Sequence, residues 1–212
     1  MSKTTVVAVA AVLAIAFGAL AIAGCGNSDE ESSSQAESTD GAFLTEMIPH
    51  HRSAIEMAKV AQKKADHLQI KQLADDIVAA QDTEIAEMNE MHQRMFGESA
   101  MGADHGNLGL DDQMMGMSMR MDSLETADPF DRAFIDAMIP HHQGAIRMAE
   151  IELAEGQDQE VKDLAQSIVD AQSQEIEQMN QWREQWYGSL SPAGGVPEMN
   201  SGEMPSHEEM GH

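Results

Sequence analysis

The chain has a single cysteine in 212 residues, Cys25, close to its N-terminus. One thiol excludes a disulfide framework and a thiolate metal cluster. Basic residues are scarce too: 12 Lys and Arg stand against 37 Asp and Glu, a formal net charge of −25. A surface of that sign repels duplexes and anionic headgroups, so nucleic acid is excluded as a main partner, while cations are drawn in. No Ser-His-Asp or Cys-His constellation and no phosphate-binding loop occurs, which leaves hydrolase and kinase chemistry without support.

Long apolar runs are limited to one, Val6 to Ala23, which follows Lys3 and leads into Ile22-Ala23-Gly24-Cys25. It reads as a signal peptide over residues 1–24, and the residues before the cysteine resemble the bacterial lipobox. Cleavage before a lipidated Cys25 is therefore expected, with the protein outside the cytoplasm and anchored to the bacterial cell membrane; an uncleaved anchor is the competing reading. Residues 25–39, rich in Ser, Glu and Asp, read as a disordered tether. Outside the cytoplasm thiols tend to be oxidised, so a soft-metal site there suits thioether and imidazole groups.

Both groups are abundant. There are 18 methionines and nine histidines. Met47-Ile48-Pro49-His50-His51, followed by Ala54, Ile55, Met57 and Ala58, returns as Met138-Ile139-Pro140-His141-His142, followed by Ala145, Ile146, Met148 and Ala149. The whole of Phe43–Gly97 repeats as Phe134–Gly188 at an offset of 91 without a gap, with 22 of 55 positions identical. Apolar residues recur at helical spacing through each copy, which predicts two helices per repeat. Pro49 predicts a kink without a change of phase, and Gly97 is a stop signal. In the second copy Asp128 is expected as N-cap and Pro129 as the first helical residue. The result is an all-α domain over residues 40–188, a four-helix bundle of two repeated hairpins (40–97 and 128–188), because one hairpin cannot bury its stripe alone. A Met-rich connector over 98–127 breaks the periodicity, and a tail over 189–212, with further Met and His, reads as disordered.

The wheel turns His50 and His51 inward with Met47 and Met57, and likewise His141 and His142 with Met138 and Met148. Met88, His92 and Met95 share one face of the second helix, since spacings of four and seven fall along a helix side, and they read as further metal ligands. Core packing competes as an explanation for Met57, Met88, Met148 and Met179. Gln81 and Glu84, with their counterparts Gln172 and Glu175, also fall on the inward arc. A buried carboxylate needs a partner, so these are expected to meet the histidines, as ligands or by fixing tautomers. In the connector, Met114, Met115, Met117, Met119 and Met121 fit no single helical face and so have nothing to pack on, which reads them as soft-metal ligands. Thioethers favour Cu(I), with Ag(I) as a further option, and iron is disfavoured. The carboxylate-rich Glu-x-x-His pattern of di-metal bundles occurs only at Glu209 and His212 in the tail, so a di-metal oxidase is the weaker alternative to a metal carrier. A bundle whose Met and His are merely core is the third reading.

The M-I-P-H-H, A-I, M-A pattern, the inward Gln-Glu helix and the second copy resemble the bacterial domain of unknown function 305 over residues 40–188. That resemblance implies a ferritin-like four-helix bundle; the family includes a cyanobacterial periplasmic protein that binds copper and silver through Met and His. Carried over, it implies metal contacts at Met47, His50, His51 and Met57, and at Met138, His141, His142 and Met148. The protein itself reads as a Cu(I) or Ag(I) scavenger or chaperone and not an enzyme, with metal ions, the membrane and a metal-receiving protein as its expected partners. Trp182, Arg183 and Trp186 replace Met91, His92 and Met95, so unequal sites are expected.

Overall fold

The computed structural model describes residues 28–100, 102–103, 105–118 and 120–197, with side chains from Thr39 onward. The signal peptide, Cys25, Met119 and the tail residues from 198 lie outside the described residues. Among the described residues five helices follow in order: α1 Ser28–Lys64, α2 Leu68–Phe96, α3 Met121–Glu125, α4 Phe130–Glu155 and α5 Gln159–Tyr187. α1 packs on α2, α4 packs on α5, and α1 and α4 join the two hairpins through their shared face. The four-helix bundle expected from the repeat is the observed architecture.

The α1–α4 pairing is antiparallel, as the methionines show. Met47 and Met88 share an apolar cluster with Met148, whereas Met138 and Met179 share the other cluster with Met57. A residue before the histidines of one repeat thus meets a residue after the histidines of the other. The crossing point falls at the histidines themselves. Phe43 and Phe134, equivalent by the offset, are fully buried.

The repeats also close each other's turns. Asp131, at the start of α4, accepts the backbone N–H groups of Asp66 and His67 between α1 and α2, at 3.0 and 2.8 Å. Asp40 accepts the N–H groups of Gln157 and Asp158, the equivalent residues between α4 and α5, at 3.0 and 3.3 Å. Both aspartates are 1% exposed. Each satisfies donors at a helix start that would otherwise be orphaned, and so binds one repeat to the other. α2 and α5 end alike, at Gly97 (φ 73°) and Gly188 (φ 81°), in the left-handed region that glycine reaches without strain.

Four expectations need correction. The backbone over 28–39, read as a disordered tether, belongs to α1. Pro129, not Asp128, is the N-cap of α4, with extended backbone (φ −70°, ψ 134°) and no side-chain cap. The connector is not free of helix: Met121–Glu125 forms α3, because Leu124 has a buried place to fill. The start of the tail is docked, since Gln143 donates to the carbonyls of Ala193 and Gly195 and Asn180 to that of Gly194. Pro49 and Pro140 both lie within continuous helices. Among the described residues, no helix is long and apolar enough to cross a membrane.

Candidate metal centre

Four histidines gather where α1 crosses α4. The rings of His50 and His141 lie 3.9 Å apart between centroids, tilted by 40°. His51 and His142 flank them, each 6.4 Å from its neighbour in sequence. All four are at most 2% exposed.

Their hydrogen bonds fix which nitrogen is bare. His51 Nε2 donates to Glu84 Oε2 at 2.8 Å, and His142 Nε2 donates to Glu175 Oε2 at 2.6 Å. His50 Nε2 donates to the carbonyl of Met115 at 2.9 Å. A carbonyl only accepts, so in the neutral ring the proton sits on Nε2 and the lone pair on Nδ1. The Nδ1 atoms of His50, His51 and His142 are buried without a partner, and His141 lacks a partner at both nitrogens. The His50 carbonyl lies near the His141 ring but outside hydrogen-bonding geometry.

Burial sets the charge state. Desolvation, reinforced by His51 and His142, pushes the His50 pKa down to about 3, against the raising effect of the Met115 bond. His141 is held well below its usual value, again by desolvation first and then by the neighbouring imidazoles. These two rings are neutral at pH 7, the form in which imidazole ligates a metal. A carboxylate on the far nitrogen of His51 and of His142 orients the ring and fixes its tautomer, as outer partners of metal-bound imidazoles do. Among the described residues, no three His, Cys, Asp or Glu side chains converge as a ready-made cage. The arrangement instead offers imidazole pairs within a thioether-lined interior, a donor set suited to soft ions.

Met47, Met57, Met88, Met138 and Met148 are buried on either side of the crossing. Met179 completes the second cluster in the place that Met88 holds in the first. The repeat offset alone pointed to it. Gln81 and Gln172 are buried, with their Oε1 atoms unpartnered.

The connector covers this centre. A Cβ on Gly116 would lie 2.1 Å from the Pro140 carbonyl oxygen, and one on Gly144 would lie 2.0 Å from that of Met115. Backbone meets backbone there because neither residue has a side chain. Met115 and Met121 pack against the apolar clusters, Met117 is half-buried and Met114 is exposed. Packing therefore accounts for Met115 and Met121, contrary to the expectation that the connector methionines have nothing to pack on. Two acidic grooves between α2 and α5 reach the centre's carboxylates: Glu84 lines one with Glu87, Glu160 and Asp163, and Glu175 lines the other with Asp76 and Glu177.

His92 and Met95 lie away from the crossing. His92 is fully buried beside Phe96 and His105. The equivalent end of α5 has different chemistry. Arg183 is buried and paired with Asp136 at 3.1 Å, while Trp186 stacks on His67 with centroids 3.7 Å apart.

Solved structures share this fold. CopM in its Cu(I)-bound form matches with a TM-score of 0.59 and 40% identity, over 70% of this chain and 98% of that one. CopM co-crystallised with Ag matches with a TM-score of 0.61 and 39% identity, over the same shares. A DUF305 fragment from Deinococcus radiodurans has a TM-score of 0.59 and 28% identity, over 69% of this chain and 96% of that one. An uncharacterised protein of Acanthamoeba polyphaga mimivirus is 46% identical over 57 residues, and the chain spans 38% of that relative's length. The domain of unknown function DUF305 matches residues 40–183 and again 134–212. With the doubled motif, the reciprocal hairpins and a family match across most of its length, the chain belongs to the DUF305 family.

Proposed function

We propose that the protein is an extracytoplasmic lipoprotein, anchored through Cys25, that binds Cu(I) or Ag(I) as a scavenger or chaperone. The observation that carries the reading is His141. Its ring is 1% exposed with both nitrogens unpartnered, and it faces a second neutral imidazole 3.9 Å away. An unsatisfied buried polar group costs about 1–3 kcal/mol, and no hydrogen bond among the described residues offsets that cost. A bound cation would. The ligands assigned are His50, His51, His141 and His142, drawn with Met47, Met57, Met88, Met138 and Met148 as the ion settles to one side of the crossing. Glu84 and Glu175 hold ring orientation and present negative charge to the acidic grooves, through which a cation approaches. Met114 and Met117, the less buried connector methionines, serve capture and release, together with Met119.

The relatives support the metal class, since CopM was solved with Cu(I), Cu(II) and Ag bound. A di-metal carboxylate oxidase fits less well, because Glu84 and Glu175 each engage the histidine of their own repeat instead of bridging one site. Titration of the protein with Cu(I) against a competing chelator, under reducing conditions, tests the reading. Binding tighter than about micromolar is expected; weaker binding would overturn it.

A further inference from the structure

We propose a second, separate soft-metal site formed by His92 and His105 at the far end of α2. The proposal rests on the soft-metal reading above and adds to it a ligand, His105, that the repeated motif does not contain.

The His92 ring is fully buried, and its Nδ1 donates to the Glu98 carbonyl at 2.9 Å. That bond leaves the lone pair on Nε2, which is buried without a partner. The Nε2 of His105 is likewise buried and unpartnered. The two rings stand 4.8 Å apart in an edge-on arrangement at 65°. Phe96 packs beside both, 4.8 Å from His92 and 4.2 Å from His105 between centroids. Met91, the residue before His92, and Met95, one turn after it on α2, are half-buried. The Glu98 carboxylate lies 4.0 Å from His105 Nε2, too long for a hydrogen bond but near enough to offset a positive charge.

The backbone makes room for this pair. A Cβ on Gly41 would lie 2.6 Å from Cγ of His105 and 2.8 Å from its Cβ, so the absence of a side chain at residue 41 seats the ring. Nothing equivalent exists in the second repeat, where Arg183 replaces His92 and is bound to Asp136 and Ser189. Two imidazole nitrogens with nearby thioethers favour a soft ion that accepts few ligands, Cu(I) or Ag(I).

The test is Ag(I) titration of the protein and of His105→Phe, His50→Phe/His141→Phe and Gly41→Ala variants, read as equivalents bound. His105→Phe and Gly41→Ala are expected each to lose one equivalent, and the His50/His141 variant to retain that equivalent. Full stoichiometry in His105→Phe overturns the second site and leaves the central one standing; no Ag(I) uptake by the parent protein overturns both. Should His105→Phe fail to fold, the 15N resonance of His92 Nε2 in the parent protein decides. A shift that saturates with one equivalent supports the site, and an unmoved resonance overturns it.

Discussion

The imidazoles of His50 and His141, one from each repeat, face each other 3.9 Å apart at the crossing of α1 and α4. Equivalent residues meet there because the two hairpins pack antiparallel, with their histidines at the crossing. Of the two rings only His50 makes a hydrogen bond, to the connector.

That imbalance predicts a trade between stability and binding. His141→Phe replaces two unsatisfied nitrogens by apolar carbon in a fully packed place. The apo protein is expected to gain up to about 1–3 kcal/mol, which for a chain of this size raises Tm by about 2–4 °C per kcal/mol. The rise in Tm on adding Ag(I), roughly 2.7 kcal/mol at a hundredfold excess over Kd in the parent, should shrink sharply. Thermal melts with and without Ag(I) check both halves.

Asp40 and Asp131 should be the most sensitive polar positions outside the centre. Asp131 accepts two backbone N–H groups and the ring Nδ1 of His67, at 2.6 Å. Asp131→Ala orphans them and is expected to cost about 2–4 kcal/mol, with Asp131→Asn recovering part of it. Urea unfolding at constant slope measures the loss.

Glu152 gives the fold a pH dependence of defined sign. Desolvation, followed by the Asp40 carboxyl beside it, raises its pKa from 4.5 to about 9. The folded state therefore holds a proton that the unfolded state releases. Its stabilising contribution is complete below pH 4.5 and is lost as pH rises toward 9. Glu152→Gln should flatten stability between those limits and exceed the parent at the alkaline end. Gly156→Ala would place a Cβ 2.0 Å from Glu152 Oε1 and is expected to cost about 1–3 kcal/mol.

The connector's seat is testable without touching a ligand. Gly116 combines a φ of +69° with the Pro140 carbonyl 2.1 Å from where a Cβ would be. Gly116→Ala should lift the connector, break the bond from His50 to Met115 and speed amide exchange over residues 113–117. Helical circular dichroism should stay unchanged, and transfer of bound Ag(I) to a competing chelator should quicken.

Much of this was legible in the sequence, for identifiable reasons. The hairpins, their ends at Gly97 and Gly188 and the inward histidines follow from helical period and an ungapped repeat, both local signals. The pairing of Glu84 with His51, and of Glu175 with His142, followed from the cost of burying a carboxylate alone. What stayed hidden depends on contacts between segments distant in sequence. Nothing in the sequence marks Asp40 or Asp131, and only the packed bundle shows that each caps the other repeat. Met115 and Gly116 read as loop composition, because their role comes from docking on Pro140 and Gly144. His105 had no repeat partner to mark it.

The most direct measurement is the anomalous-scattering map of crystals soaked in Ag(I). A peak within bonding distance of His50 or His141 nitrogen, and of a methionine sulfur from the adjoining cluster, is the predicted result. Silver found only at exposed methionines, with the four rings unmoved and unligated, would contradict it.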